Sequence, residues 1–299
     1  MTVFSALTKR NIKLFFKDKG LFFTSLITPV ILLVLYATFL SNVYRDSFLA
    51  ALPKGLNLAE ELINGCVGGQ LMSSILAVSC VTVAFSSNML MVQDKVNGTI
   101  KDLRITPAKP STIAFSYYFA TMVSTLIICY TATALCLGYV AFVGWYMSVS
   151  DVLFLLLDVF ILSFFGTAIS SFINLFLSSQ GQISAVGSIV SSCYGFICGA
   201  YMPISQFSEG LQKVISFLPG TYGTSLVRNH ALRGVFSEME SQNFPQKIID
   251  VFKSTVDCNI YFFDKKVSIG AMYLVLVSTV LLFVGGYILI CNSRNKVRK

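Results

Sequence analysis

One histidine, His230, stands in 299 residues, and that removes much of enzyme chemistry. A zinc peptidase helix needs two histidines at His-Glu-x-x-His spacing to face one metal. No Gly-x-x-x-x-Gly-Lys-Ser/Thr run is present to cradle phosphates, so the chain reads as holding no ATP and no magnesium itself. No Gly-x-Ser-x-Gly turn is present to raise a serine nucleophile. The eight cysteines form no Cys-x-x-Cys pair. Cys80, Cys129, Cys136, Cys193 and Cys198 fall in apolar runs and read as small packing residues. Cys66 and Cys258 fall on the predicted outer side, and the sequence leaves open whether they bridge. Asp158 is the one acid inside a long apolar run. A central Asp costs about 2.5–3.5 kcal/mol on insertion scales, so a buried acid is a functional suspect. Asp158 lies roughly 10 Å from the outer end of its predicted helix and reads as an acid satisfied near the interface. His230 reads as a loop or interface residue.

The elements that must position these residues are membrane helices. Residues 21–40, 65–93, 110–150, 159–208 and 267–293 carry no Asp, Glu, Lys or Arg. A hydrocarbon core of about 30 Å needs roughly 20 apolar residues of helix. The run 152–208, broken only by Asp158, has room for two spans. Charged residues make up 12% of the chain, against about 25% in soluble domains, and none of the segments between spans could hold a catalytic domain. Continuous apolar runs favour helices over an alternating barrel. The reading is an all-α membrane protein, one domain over 1–299, with six spans at about 21–40, 66–92, 112–143, 152–177, 183–202 and 267–291. Residues 21–40 read as a span and not as a cleaved signal peptide, being longer than a usual h-region. Pro29 is a predicted kink in the first span. Small residues concentrate at Gly166–Ser171, and no Gly-x-x-x-Gly dimer signal stands out beside them.

The net charge of +8 could suggest nucleic acid, but its placement argues for a membrane surface instead. Lys9, Arg10, Lys13, Lys17 and Lys19 precede the first span. Lys95, Lys101, Arg104 and Lys109 lie between the second and third, and Arg294, Lys296, Arg298 and Lys299 follow the last. The opposite short loops carry only Arg45 and Lys54. This bias predicts both termini and the 93–111 loop on the cytoplasmic side. Residues 1–20 read as an amphipathic interface helix, with Phe4, Leu7, Ile12, Leu14, Phe15 and Phe16 on one arc. Lys9, Arg10, Lys13 and Lys17 share the other arc, toward anionic lipid or a cytosolic partner.

Residues 203–266 form the long outer loop. Phe207, Leu211, Val214, Ile215 and Leu218 keep helical spacing until Pro219-Gly220, and a second apolar patch runs from Tyr222 to Leu232. Two short half-apolar helices fit a re-entrant hairpin dipping into the outer leaflet, and equally a pair lying flat on it.

The loop 94–107 reads Asp-Lys-Val-Asn-Gly-Thr-Ile-Lys-Asp-Leu-Arg-Ile-Thr-Pro. A short charged helix closed by Thr-Pro, with Thr99 as its cap, would be continuous with two spans. This segment resembles the first cytoplasmic loop of ABC-2 type exporter permeases, the membrane half of ATP-driven ABC transporters. Asp94, Lys95, Gly98, Thr99, Ile100, Leu103, Thr106 and Pro107 match the family's pattern, while Val96 and Asn97 depart from its charged positions. Pro203, Leu211-Gln212, Leu218-Pro219, Thr221 and Arg228 resemble the family's outer re-entrant region. The resemblance is nearest to the drug and antibiotic export branch. It implies that Asp94 to Pro107, with Lys101 and Arg104, form a coupling helix. It implies two copies of a separate ATPase subunit holding ATP and Mg, and a second permease subunit, in a bacterial cell membrane. A lipophilic or amphipathic substrate would leave between the protomers. The rival readings are an ion-gradient-driven transporter or channel, which would need paired broken helices or several buried charges, and an intramembrane enzyme.

Overall fold

The computed structural model describes residues 2–51, 59–263 and 265–296, with the side chains of 37, 47, 50, 51 and 294–296 left aside. Lys54, Arg298 and Lys299 of the charge pattern lie outside the described residues, as do the side chains of Arg294 and Lys296. Helix α1 (Val3–Lys17) is followed at once by α2 (Lys19–Leu35). Asp18 serves both: its backbone N–H closes α1 on Leu14 O at 2.9 Å, and its carboxylate accepts from Leu21 N at 3.1 Å. One residue that ends one helix and caps the next fixes a sharp corner. Pro29 sits buried inside α2, and the α pattern breaks later, in a π-helical turn at Tyr36–Leu40 that leads into α3 (Ser41–Ala51).

Helix α4 (Glu60–Ser87) and α5 (Met89–Val96) form one bent rod, longer at both ends than the 66–92 span read from hydropathy. The bend is at Asn88, fully buried, whose side-chain amide donates to Ser170 and Ser171 at 3.1 and 2.9 Å. Its backbone carbonyl accepts from Asn174 at 3.4 Å. A polar side chain with several partners inside an apolar bundle stabilises the helix crossing it sits at. Helix α6 (Thr99–Ile105) follows, then α7 (Pro110–Val143), α8 (Val149–Asn174) and α9 (Gln180–Ile197). Among the described residues, five helices are long and apolar enough to cross a membrane: Lys19–Asp46, Glu60–Val96, Pro110–Val143, Val149–Asn174 and Ile269–Ser293. α9, where a sixth span was expected at 183–202, is an 18-residue helix spanning roughly 27 Å. It is diluted by Gln180, Gln182 and seven serines and glycines, so its composition alone does not qualify it. It nonetheless begins near Ile183, which shares a cluster with Tyr287, and ends two residues before Gly199, whose carbonyl accepts from Arg228 at the opposite end.

The segment after a 3-10 turn (Ile204–Gln206) holds α10 (Glu209–Ile215), α11 (Pro219–Ser241) and α12 (Gln246–Thr255). A two-residue hairpin, β1 (Tyr261–Phe262) with β2 (Lys265–Lys266), precedes α13 (Ile269–Lys296). Pro219, read as a helix breaker, instead occupies the first turn of α11, where a missing N–H costs nothing. The flat alternative does not hold for α11, which is buried from Gly220 to Leu232 except at half-buried Asn229, keeps Val235, Phe236 and Met239 buried beyond that, and packs on α4, α8 and α13. Its approach needs small partners. Gly65-x-x-x-Gly69, which the sequence reading passed over, lies on α4 under α11, and a Cβ on Gly69 would stand 2.6 Å from Leu232. The spacing serves a crossing within the chain and gives no evidence for a dimer.

Gly166 makes the corresponding contact between α8 and α4. A Cβ there would lie 2.7 Å from Cys80 O and 2.9 Å from Val81 Cα, both backbone. Gly166→Ala is therefore expected to push the two helices apart and to cost about 1–3 kcal/mol. Thermal unfolding in detergent, followed by loss of monodispersity, measures it; an unchanged midpoint would mean that the crossing relaxes freely.

Candidate functional site

At one end of the bundle α1 docks on α7, with Phe4 packed between Phe115 and Phe119 at ring distances of 5.6 and 5.8 Å. Thr8, Asn11 and Phe15 form the buried stripe. Arg10, expected on the outward basic face with Lys9, Lys13 and Lys17, turns inward. Its guanidinium donates to Asp94 at 2.8 Å and to Asn11 at 2.8 Å. Tyr117 on α7 donates to the same Asp94 oxygen at 2.5 Å. Asp94 thus ties α1, α5 and α7 together, and its buried place explains why it is not a loop residue facing a partner. Lys95, also expected on the loop, is the last-turn cation of α5. Its ammonium donates to Leu175 O at 2.9 Å and to Leu177 O, closing the C-terminal carbonyls of α8.

The loop proper starts at Asn97 and turns on Gly98, whose φ of 84° lies in the left-handed region that glycine adopts without strain. Gly98, not Thr99, holds the N-cap position of α6, and Thr99 is its first helical residue, without a side-chain cap. Ile100 and Leu103 point inward and pack against the cluster containing Met91, Ile113 and Tyr287. Lys101, Asp102, Arg104 and Ile105 are exposed, Ile105 at 87%. Thr106 ends the helix by donating to Leu103 O at 2.6 Å, and Ala108 N donates back to its hydroxyl at 3.4 Å. Pro107 is exposed, and Pro110 opens α7. Tyr287 near the end of α13 donates to Ala114 O at 3.1 Å. The start of the chain, α6 and the C-terminal part of α13 therefore share one end of the bundle. A short charged helix is thus pinned by two apolar side chains to the ends of several spans.

At the other end, Arg228 is 1% exposed, deep in α11. It donates to Asp257 at 3.1 Å, to Ser74 on α4 at 3.2 Å and to Gly199 O at 2.6 Å. Asp257 also accepts from Ile204 N at 2.8 Å. Burial pushes the Asp257 carboxyl above its ordinary range, while Arg228 pulls it back. Pro203 precedes the 3-10 turn that this carboxylate holds. Leu211 is exposed on α10, so the four re-entrant residues read from sequence do not meet in one site. Cys66 and Cys258 are both buried and unbridged, and burial pushes the Cys258 thiol up to about 12.

Sequence reasoning missed a third cluster. His230 Nδ1 lies 2.6 Å from Asp158 Oδ2, and Tyr273 on α13 donates to the other carboxylate oxygen. Phe154 stacks on the imidazole at 5.1 Å. Asp158 is 1% and His230 5% exposed, so the lone acid has two partners, one of them the residue read as a loop histidine. The signal was available: an acid in a span requires a partner, and His230 follows Tyr222, Leu226 and Val227 at helical spacing.

No curated protein matches the chain. A family model described as ABC-2 type transporter matches residues 2–231, well over half of the chain. The chain belongs to the ABC-2 type transporter family, as a multi-pass membrane permease.

Proposed function

We propose that this permease exports a lipophilic or amphipathic substrate from the cytoplasm or the inner leaflet. It would do so paired with a second permease subunit and driven by two copies of a separate ATPase subunit that hold ATP and Mg. The observation that carries the reading is α6. Its outward face of Lys101, Asp102, Arg104 and Ile105 is open to a soluble partner, while Ile100 and Leu103 anchor it to the bundle. The concentration of basic residues at this end supports a cytoplasmic placement of α6 and of both termini, in the membrane of a bacterial cell. A second subunit is supported by α9, which keeps only Ile183 and Gly195 buried and turns Ser184, Ser188, Ser191 and Ser192 outward. Small and hydroxylated residues suit helix–helix contact better than lipid. Mixed Ser, Gly and aromatic side chains on the spans support an amphiphile as cargo. The buried Asp158–His230 pair is the one feature that favours the ion-gradient alternative.

Charge reversal at Lys101→Glu and Arg104→Glu tests the coupling role. Both side chains are exposed, so abundance should hold. ATPase association or substrate efflux in proteoliposomes should fall at least tenfold, a loss of about 1.4 kcal/mol or more of coupling. Normal association with normal efflux would remove α6 from the mechanism. Efflux that survives ATP depletion but collapses with the proton gradient would favour the ion-driven alternative.

A further inference from the structure

Helix α1 carries four cations, Lys9, Arg10, Lys13 and Lys17, and no acid. Arg10 finds Asp94. Lys9 and Lys13 do not form an ion pair among the described residues, although they stand one turn apart, where like charges destabilise a helix. They rim a groove of about 560 Å³ between α1 and α7, lined by Phe4, Ser5, Thr8, Ile12 and Phe119. The hydroxyl of Thr8 is buried beside this groove, with the residue 7% exposed, and has no hydrogen-bond partner. Phe119 lies nine residues into α7, roughly 14 Å along the helix from Pro110. The groove thus sets two ammonium groups beside the aromatic and aliphatic carbon of Phe4, Ile12 and Phe119.

That pairing of charge with apolar carbon matches one molecule. We propose that the α1–α7 groove is a binding site for a single anionic phospholipid. Its phosphate sits between Lys9 and Lys13 and accepts from the Thr8 hydroxyl, and one acyl chain lies along Phe4, Ile12 and Phe119. A free inorganic anion would have no use for the apolar floor. An acidic protein surface would not reach Phe119. The bound lipid neutralises the like-charged pair and ties α1 to α7 on the side opposite the Arg10–Asp94 contact, so it bears on the same end of the bundle as α6.

The test uses the full-length chain in nanodiscs of phosphatidylglycerol mixed with phosphatidylcholine, extracted and read by native mass spectrometry. One phosphatidylglycerol per chain is expected to stay bound in preference to phosphatidylcholine, and inorganic phosphate should not displace it. Lys9→Gln with Lys13→Gln should weaken retention roughly thirtyfold, about a factor of five for each lysine near an anionic surface. Thr8→Val should weaken it less. Lys17→Gln with Lys19→Gln makes the same change in net charge outside the groove and should leave retention unchanged. Equal losses in both double variants would mean diffuse attraction to the membrane and overturn the site. Displacement by inorganic phosphate would make it a simple anion site and overturn it too. Retained lipid in Lys9→Gln with Lys13→Gln, together with lost association of a soluble protein, would assign the groove to that protein.

Discussion

Arg228→Met should be the most damaging single substitution at the end of the bundle opposite α6, destabilising the protein by about 3–5 kcal/mol. The guanidinium holds three elements through Asp257, Ser74 and the Gly199 carbonyl, and all of these contacts are buried. Methionine keeps much of the volume but leaves Asp257 without its cation. That carboxyl already stands above its ordinary range because of burial, and losing Arg228 sends it further up. A carboxyl raised in the folded state binds more protons folded than unfolded, so its contribution falls as pH rises above the unfolded value. The variant should therefore be less stable at about pH 8 than at about pH 5.5, beyond any change in the parent. Arg228→Met with Asp257→Leu should recover most of the loss, because a buried pair replaced by apolar groups is often neutral. Thermal unfolding of the detergent-solubilised protein at the two pH values decides the matter. A double variant no better than the single would show that the hydrogen bonds to Ser74 and Gly199, and not the uncompensated charge, carry the effect.

Asp158→Leu comes next in expected size. It leaves His230 and the Tyr273 hydroxyl without their buried acceptor, and a cost of about 2–4 kcal/mol follows from two orphaned polar groups. Its consequence is local before it is global, since these two bonds fasten α8 to α11 and to α13. Accessibility of a cysteine introduced at Asn229 on α11, on a background without native cysteines, should rise in Asp158→Leu and in His230→Leu. Tyr273→Phe loses one bond and should fall between them and the parent. A cycle of Asp158→Leu, His230→Leu and the double variant should show coupling of roughly 1–3 kcal/mol. Independent, additive losses would mean that the two side chains are close without depending on each other.

Between them, these two clusters show where sequence reasoning reached its limit. Each is made of residues distant along the chain: Ser74 with Arg228 and Asp257, Asp158 with His230 and Tyr273. A charge inside an apolar run announces that a partner exists, because hydrocarbon offers it no water, but it does not name the partner. The same limit moved Asp94, Lys95 and Arg10 from an outward surface to inward contacts. Charge pattern assigns a basic residue to one end of a span, while the rotation of its helix decides which neighbour it meets.

What the amino-acid sequence determined by itself was everything that depends on local composition. Five apolar runs long enough for the bilayer dictate membrane helices. Gly98 and Thr106-Pro107 bound the short α6 helix, because one permits a left-handed turn and the other stops the helix. Pro219-Gly220 marks the break between two short helices, and the order of these signals carries the family resemblance. Tertiary structure alone decided how deep α11 lies, because a helix of mixed polarity reads alike whether flat on the membrane or packed inside. Glycines at 65, 69 and 223 let it approach its neighbours, and Arg228 and His230 found counterparts there. Burial of those polar groups is favourable only when every partner arrives together, a property of the assembled helices and of no single segment.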